Sequence, residues 1–476
     1  MNTPSLSKQQ LRQFFDSRAA EAETWRAKNP YYYQWIGKLL RFYLPPGQKV
    51  LEVGSGIGDL LAEVKPAAGV GLDFSPAIAA VARRRHGDPH LRFVVGDIEE
   101  VVNVRETFDA IIASDLVGYL DDIQTALENL RILCHERTRL VVTMYNRLWE
   151  PFLHAGARFG LNQPKPLNNW LSVSELSELL GLAGFEVVTQ GNMFLCPKKL
   201  GGLGGFINRT LAGWPILRRL CLIQYVVARP AIYGTPRRMS VSVVVPVASP
   251  IGNCAEFISR IPTLGSRTEI VVAVSSRDAA ALEAVDAFQI QNAGRREIVR
   301  CVHAAADWGG AIDAALKQAR GELLVVLDPR SGVAPEELPK FYDVVARGKA
   351  EFVVGSRFVY PPQSRLSADP YRVKSRWFAK RLSALLRQRV ADPFCRALAF
   401  RQDDYQRMFT RHADVSRRVP DRGLELLLGA ARLGLKIADI PVHVHVPKSA
   451  GFMTELSPIS VPPATLLRTC RQAYAL

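Results

Sequence analysis

The sequence predicts an α/β protein made of two successive domains, each built around its own, mostly parallel sheet. Short apolar runs recur along the chain and alternate with segments of helical periodicity, which is typical of parallel sheets. A glycine-rich turn follows the first of these runs. At 476 residues the chain is too long for a single hydrophobic core, and Pro230 and Pro236 separate the two series of runs.

The overall composition excludes several classes of protein. Apolar residues make up 48% of the chain and charged residues 22%, as in an ordinary globular protein. The seven cysteines are scattered and include no C-x-x-C pair, which argues against a disulfide framework or a zinc site. The first thirteen residues have no apolar core, so we expect no signal peptide. A cytoplasmic location is therefore predicted, and peripheral contact with a membrane remains open.

The formal charge is strongly positive, at +16, and most of the excess falls in residues 236–476. Such a surface could contact nucleic acid, anionic lipid head groups or phosphorylated sugars. A solubilising excess of surface lysine and arginine explains the charge without any of these partners. We therefore expect no nucleic-acid partner.

The glycine-rich turn indicates a ligand site. Glycines 54, 56 and 58 end the apolar run at residues 50–53, and a helical segment begins at Asp59. Glycines let the backbone turn tightly and admit a ligand close to the helix N-terminus. Their spacing fits the dinucleotide fingerprint poorly. Glu52 would repel a phosphate but suits a cationic ligand, and S-adenosylmethionine carries a sulfonium and an ammonium group.

Acidic residues follow the next predicted strands in order. Asp73 ends a strand at residues 70–73, about twenty residues after the glycines, where a carboxylate can accept both ribose hydroxyls. Asp97 follows the third strand and could accept from an adenine amino group. Ser114 and Asp115 end the fourth strand. Each acid alone could be a helix cap, but the series in this order favours a ligand site.

Residues 1–200 resemble the class I S-adenosylmethionine-dependent methyltransferases. The resemblance implies a Rossmann-like domain that binds S-adenosyl-L-methionine. It assigns the cofactor to residues in the loop and at the strand ends. These are Glu52, Gly54, Ser55, Gly56, Gly58, Asp73, Phe74, Asp97, Ile98 and Ser114.

The acceptor side is less defined. Residues 1–48 are predicted to be helical, and their aromatic cluster at 31–35 either closes over the cofactor or packs on the sheet. Residues 147–172 are predicted to be an irregular lid or acceptor wall containing Trp149. Methylation of a hydroxyl needs a base, although positioning alone can also drive methyl transfer. The candidate bases are Asp115, Tyr145, Glu150 and His154.

Residues 201–235 are predicted to connect the two domains. A glycine-rich start precedes an apolar stretch that Arg218 and Arg219 interrupt. The stretch is too short to span a membrane. It could form a helix lying at a membrane interface, but packing between the domains is the interpretation that we favour.

Residues 236–476 contain the second series of strands and helices. Its motifs are Val-Val-Val-Pro at 243–246 and Val-Gly-Ser-Arg at 354–357, and residues 423–442 form a closing helix and strand. This order resembles the family 2 glycosyltransferases of GT-A fold, in particular dolichol-phosphate-mannose-synthase-like enzymes. The whole chain resembles bacterial fusions of a class I methyltransferase with such a domain.

The second domain lacks charges that this resemblance requires for sugar transfer. Such enzymes hold a nucleotide-sugar diphosphate through a divalent metal on a D-x-D pair, but here the sequence is Asp328-Pro-Arg330. The second strand ends in Ser275 and Ser276 instead of an acid. Arg330 would repel a metal, although it could neutralise a diphosphate directly. We expect no divalent metal, and Asp328 is interpreted as a vestigial ligand.

The sequence thus predicts a methyltransferase acting on a small-molecule, sugar or glycolipid acceptor, joined to a degenerate glycosyltransferase-like domain. Two alternatives stay open at this point. The chain could be a bifunctional methyltransferase and glycosyltransferase. It could also be a binding scaffold whose basic half docks a partner.

Overall fold

The computed structural model divides the chain into two compact units, with the boundary between Ala231 and Ile232. Each unit contains one seven-stranded sheet. The residues that the structure describes are 7–100, 104, 106–158, 169–198, 202–214, 217–232, 236–247, 254–275, 279–291, 297–303, 308–358, 370–411, 419–443 and 462–474.

The first sheet has the strand order β3-β2-β1-β4-β5-β7-β6. Strands β1 to β5 are parallel, and β7 is antiparallel to both of its neighbours. The order turns back between β1 and β4, which opens a crevice at their carboxyl ends, where ligands bind in sheets of this kind. The strands are β1 (Lys49–Val53), β2 (Ala68–Asp73), β3 (Leu91–Val95), β4 (Phe108–Ser114), β5 (Cys134–Tyr145), β6 (Phe185–Met193) and β7 (Ile223–Pro230).

Side-chain caps fix several helix starts in the first unit. Ser7 and Gln10 form a capping box that begins the first helix. Ser172 and Glu175 form a second one, which begins the helix after residue 172. The helices are α1 (Lys8–Ser17), α2 (Ala22–Lys28), α3 (Pro30–Tyr43), α4 (Asp59–Glu63), α5 (Pro76–Arg85), α6 (Ile123–Ile132), α7 (Glu150–Arg158), α8 (Val173–Leu182) and α9 (Leu203–Thr210).

Residues 201–235 do not form the connector that we expected. Their apolar stretch contains β7, which inserts between β5 and β6 in the first sheet. Val226 and Val227 in this strand have no exposed surface, because helices cover both faces of the sheet. The arginine pair lies in a short 3₁₀ turn, Leu217–Leu220, before the strand. An apolar run that is buried on both faces cannot be distinguished from a helix by periodicity alone.

The second sheet has the order β10-β9-β8-β11-β13-β12-β14. Only β13 is antiparallel to its neighbours, and it is the one strand of this sheet that we did not predict. Leu323 to Leu327, which form β11, are completely buried at the centre of the sheet. The strands are β8 (Ser240–Val247), β9 (Arg267–Ser275), β10 (Glu297–His303), β11 (Leu323–Leu327), β12 (Phe352–Ser356), β13 (Ala397–Arg401) and β14 (Ile437–Pro441).

The predicted closing helix of the second unit begins at Arg422, after Asp421. The carboxylate of Asp421 accepts from the backbone N–H of Leu424 at 2.8 Å and so caps the helix. Among the described residues, no helix combines the length and apolarity that crossing a bilayer requires. The helices are α10 (Cys254–Ser259), α11 (Ala279–Gln291), α12 (Trp308–Gln318), α13 (Leu338–Ala346), α14 (Pro370–Leu386), α15 (Gln402–Arg411), α16 (Arg422–Arg432) and α17 (Pro463–Ala473).

Candidate active site

The glycine turn after β1 has the backbone that only glycine adopts easily. Gly54 and Gly56 have φ values of 69° and 54°, in the left-handed region. A Cβ atom on Gly54 would lie 2.9 Å from Leu116 Cδ1, whereas one on Gly56 would meet no atom within 4 Å. Gly56 therefore faces open space, which any side chain at this position would fill.

That space is a cavity of about 240 Å³ at the carboxyl ends of β1, β2 and β4. Seven of the ten residues that we predicted for cofactor binding line it, together with the candidate base Asp115. The seven are Glu52, Gly54, Ser55, Gly56, Asp73, Phe74 and Ser114.

Asp73 is held at the floor of this cavity by two backbone groups. Its Oδ2 atom accepts from the N–H of Gly56 at 2.9 Å, and its Oδ1 atom accepts from the N–H of Ser75 at 3.0 Å. Burial nevertheless raises the pKa of Asp73 to about 6. The carboxylate is thus oriented toward the cavity, and its remaining lone pairs can accept hydroxyl groups of a ligand.

Glu52 is almost completely buried, with 2% of its surface exposed. Its Oε2 atom accepts from the N–H of Leu61 in α4 at 3.0 Å, and burial raises the pKa of its carboxyl group to about 8. A cationic ligand in the cavity would favour the ionised form of this group. Glu52 therefore fits the role that we predicted beside a positively charged cofactor.

Three predicted cofactor residues are not among those that line the cavity in the described part of the chain. Gly58 caps α4, and Ile98 belongs to the hydrophobic core. Asp97 is paired with Lys8 of α1, whose Nζ atom lies 2.6 Å from Asp97 Oδ2. The contact that we expected between Asp97 and an adenine amino group remains a prediction.

Helices α1 and α2 form the wall of the cavity opposite the glycine turn. They are fixed there by polar contacts: Ser75 Oγ donates to Asp16 Oδ1 at 2.5 Å, and Arg26 lies 3.0 Å from Asp59. Sequence reasoning missed the side chains that these helices contribute, although aromatic pairs in an amphipathic segment before the turn were a usable signal. They are Phe14 and Phe15 of α1, Arg18 directly after α1, and Trp25 and Arg26 of α2.

Asp115 occupies the end of β4 in a strained conformation. Its φ of 54° places a non-glycine residue in the left-handed region, which aspartate adopts more readily than most residues but still at some energetic cost. The hydroxyl of Tyr32 donates to its Oδ2 atom at 2.6 Å. Its Oδ1 atom is buried and has no hydrogen-bond partner among the described residues. A strained carboxylate with one unsatisfied oxygen beside a ligand cavity indicates a functional role.

Two tyrosines surround this carboxylate. The ring of Tyr145 stacks on that of Tyr32 with centroids 5.7 Å apart. Burial, and secondarily the charge of Asp115, raises the pKa of both hydroxyls well above its usual value. Tyr145 is therefore poorly suited to the role of base, whereas Tyr32 remains protonated and can hold Asp115 in place.

A second, much smaller cavity also borders Asp115. Its volume is about 10 Å³, room for about one water molecule. Its walls come from the ends of β4 and β5 and from the segment before α8, and they include Asp115, Tyr145, Asn169, Trp170 and Leu171. An acceptor larger than a water molecule does not fit into this cavity as the described residues form it.

The other residues of the predicted acceptor wall have different positions. The indole N–H of Trp149 donates to the carbonyl oxygen of Leu220 at 2.7 Å, so this side chain contacts the turn before β7. Glu150 begins α7, and it lines neither of the two cavities. His154 lies in α7, but its side chain is outside the described residues.

In the second unit, Asp328 is neutralised by two arginines. It is completely buried, and its Oδ2 atom lies 3.3 Å from Arg330 and 3.1 Å from Arg396. Its Oδ1 atom accepts from the backbone N–H of Arg330 at 2.8 Å. The sequence indicated Arg330 but not Arg396, whose guanidinium lies over the ring of Trp308 at 4.5 Å. Both carboxylate oxygens are thus already used.

The Val-Gly-Ser-Arg motif has a structural partner of its own. Arg357 donates to Asp392 through two nitrogen atoms, at 2.7 and 3.0 Å, and both side chains are buried. This bidentate pair holds the segment before β13 against β12. Among the described residues, no three His, Cys, Asp or Glu side chains come together in a way that could hold a metal ion. Ser276 is outside the described residues.

Comparisons with known proteins found a family model for each of the two units. The family model described as a methyltransferase domain matches residues 25–190, and the model described as glycosyl transferase family 2 matches residues 242–409. The fold and the cavity thus define the first unit as a class I S-adenosylmethionine-dependent methyltransferase domain. In this chain the methyltransferase domain precedes a region that matches the model of the family 2 glycosyl transferases.

Individual curated relatives are similar to part of this chain. Ubiquinone biosynthesis O-methyltransferase of Azorhizobium caulinodans is 26% identical over 199 residues, which are 39% of this chain and 73% of that protein. A probable S-adenosylmethionine-dependent methyltransferase of Mycolicibacterium smegmatis is 30% identical over 35% of this chain and 62% of its own length. Phthiotriol/phenolphthiotriol dimycocerosates methyltransferase of Mycobacterium leprae is 39% identical, over only 26% of its length.

Among solved structures, magnesium protoporphyrin IX methyltransferase from Synechocystis PCC 6803 is similar to 47% of this chain over its full length, with 16% identity and a TM-score of 0.34. N-methyltransferase from Bradyrhizobium japonicum WM9 is similar to 46% of this chain over 97% of its own, with 17% identity and a TM-score of 0.34.

Proposed function

We propose that the first domain transfers a methyl group from S-adenosyl-L-methionine to a hydroxyl oxygen of a small-molecule, sugar or glycolipid acceptor. The position of Asp115 carries this proposal. Its side chain lines both the cofactor cavity and the small cavity beside it. A side chain that borders both cavities can contact the acceptor hydroxyl at the place where the methyl group passes from the cofactor to the acceptor.

The residues present fit the cofactor. Gly56 leaves room beside the turn, and Asp73 offers oxygen atoms to a ribose. Glu52 supplies a potential negative charge near a cationic group. When bound, S-adenosyl-L-methionine supplies an electrophilic methyl group. The chain's own part is to orient the acceptor in line with it and to exclude water.

Asp115 would hold the acceptor hydroxyl and take its proton. Its Oδ1 atom has no partner among the described residues, so it is available to accept a hydrogen bond from the acceptor. Tyr32 fixes the other oxygen, which keeps the carboxylate in one orientation. The name of the Azorhizobium relative, an O-methyltransferase, is consistent with an oxygen acceptor.

Methyl-labelled cofactor tests this proposal. The full chain is incubated with labelled S-adenosyl-L-methionine and with phenols, free sugars and glycolipids in turn, without added metal. We expect S-adenosyl-L-homocysteine to form only with an acceptor present, and the label to appear in an ether that resists mild base. A label on nitrogen or carbon would contradict the assignment of oxygen.

We further propose that the second domain does not transfer sugar. A metal ion at Asp328 would have to displace two guanidinium groups and then remain beside them. One carboxylate is too few hard ligands for a divalent ion in such a field. The domain's retained fold is instead consistent with a role in supporting the methyltransferase or recruiting its acceptor.

We expect neither Mn²⁺ nor nucleotide sugars with Mn²⁺ to raise the thermal unfolding temperature of the full chain. Arg330→Asp restores a D-x-D pair and is expected to introduce Mn²⁺ binding. The double variant Asp328→Asn/Arg330→Asp is the matched control and should lose it again. A metal-dependent stabilisation of the unaltered protein that disappears in Asp328→Asn would contradict the proposal and favour the bifunctional alternative.

A further inference from the structure

An aromatic and basic surface lies in the first domain, next to the acceptor side but outside both cavities. Six large apolar side chains there are each between 46% and 68% exposed. We call this set, with the arginines that accompany it, the edge surface. The six side chains are Leu148, Phe152, Leu203, Phe206, Trp214 and Leu220.

The segments that carry these side chains are joined by direct contacts. Trp149 donates to the carbonyl of Leu220 at 2.7 Å, and its ring lies 5.7 Å from that of Phe152. Asn146 Nδ2 donates to the carbonyl of Arg219 at 2.8 Å. The backbone N–H of Arg218 donates to the carbonyl of Trp214 at 2.8 Å. Helix α9, which carries Leu203 and Phe206, runs directly into the 3₁₀ turn Leu211–Gly213 that ends at Trp214. The edge surface is therefore one structural feature and not a set of scattered residues.

The edge surface lies at the carboxyl edge of the first sheet. One segment follows the end of β5 at Tyr145. The other runs from the end of β6 at Met193 to the start of β7 at Ile223. Ile223 pairs with both Tyr145 and Met193, so the two segments leave the sheet side by side. Helix α9 is attached to this edge by Asn208, which donates to the hydroxyl of Tyr31 at 3.1 Å. The edge surface and Asp115 thus lie at the same edge of the sheet.

The edge surface carries mainly positive charge. Residues 187–232 contain no Asp or Glu. Arg147, Arg209 and Arg219 are exposed, and Arg218 is half-buried. Glu150 is the one acid in the neighbouring segment at residues 146–153. Exposed aromatic and aliphatic side chains mixed with arginines are typical of surfaces that lie on anionic lipid.

We propose that the edge surface docks on a bilayer that contains anionic phospholipid. Phe206, Trp214 and Phe152 would insert at the level of the head groups, while the arginines contact lipid phosphates. A bilayer in this position would bring a lipid-linked acceptor to the edge where Asp115 lies, and this last step rests on the proposed methyl transfer. Membrane docking itself does not.

Vesicle sedimentation of the full chain, without cofactor, tests the docking. We expect binding to vesicles of about one-third phosphatidylglycerol in phosphatidylcholine to be about 10-fold or more stronger than to phosphatidylcholine alone, and to weaken as salt is added. Phe206→Ser/Trp214→Ser should weaken binding to both vesicles. Arg218→Gln/Arg219→Gln should instead reduce the preference for phosphatidylglycerol by about 10-fold or more.

The matched control is Ile132→Ser/Leu182→Ser, which removes two side chains that are each 75% exposed near the opposite end of the sheet. This control should bind like the unaltered chain. Three results would overturn docking by the edge surface: no binding to anionic vesicles, equal loss in the control, or full binding by both edge-surface variants, which would assign the attraction to the basic second domain. A dimer without lipid that Phe206→Ser/Trp214→Ser abolishes would show that a second copy covers the surface instead.

Discussion

Asp73→Ala is expected to weaken the binding of S-adenosyl-L-methionine by about 100-fold or more. The carboxylate holds the glycine turn through the N–H of Gly56 and is positioned to accept the ribose hydroxyls. Each charge-assisted hydrogen bond contributes about 1.5–3 kcal/mol, and losing two of them accounts for this change. Titration calorimetry of the full chain measures it, with S-adenosyl-L-homocysteine as a second ligand.

The pH dependence of cofactor binding tests whether the negative charge of Asp73, and not only its shape, contributes to affinity. With the pKa of Asp73 near 6 in the free domain, the ionised form that accepts hydrogen bonds is lost as the pH falls through 6. Glu52, whose pKa is about 8, already makes affinity fall below that pH, and we expect Asp73 to add a further factor of about ten for each pH unit below 6. Asp73→Asn is the control, since its affinity should lack the added decline below pH 6 and keep the decline that Glu52 causes. Unchanged affinity in a folded Asp73→Ala variant would contradict the assigned role.

Sequence alone predicted the parallel strands and the glycine turn because these features are local. A buried strand next to a tight turn leaves a continuous apolar run followed by glycines, as in β1 and Gly54. The acids that follow β2 and β4 could also be placed at one edge, because parallel strands all end there. Asp73 and Asp115 line the same cavity for this reason.

The remaining features depend on contacts between distant parts of the chain. Helix α1 covers the cofactor cavity because Asp16 contacts Ser75 and Lys8 contacts Asp97, and neither pair is marked by any local pattern. Strand β7 was mistaken for part of a connector, since an apolar run does not reveal that it inserts between two earlier strands.

In the second domain, too, the sequence predicted a local feature and missed a contact between distant residues. The replacement of a D-x-D acid by Arg330 was visible in the sequence and predicted a damaged metal site. The partner that completes the neutralisation of Asp328, Arg396, comes from the turn before the unpredicted strand β13. The structure therefore strengthens the argument against metal binding with a residue that the sequence did not indicate.

Asp115→Asn is expected to lower kcat for methyl transfer by about 100-fold or more, within the range that a general base contributes. Asparagine has nearly the same size and can still accept the hydrogen bond that Tyr32 donates at 2.6 Å. It cannot take a proton from the acceptor hydroxyl. The loss should therefore appear in kcat, with little change in KM, and the affinity for S-adenosyl-L-methionine measured by calorimetry should change by less than about threefold.

Tyr32→Phe is the matched control because it leaves the carboxylate in place and removes the hydrogen bond that fixes it, together with the hydrogen bond between the Tyr32 and Tyr145 hydroxyls. We expect a smaller loss of kcat, about tenfold, since one positioning contact contributes about 1–1.5 kcal/mol. If both variants lose activity and cofactor affinity in parallel, Asp115 holds the cavity together and takes no proton. If Asp115→Asn keeps most of its kcat, methyl transfer depends on alignment of the acceptor alone, and the strained backbone at Asp115 serves to shape the two cavities that meet there.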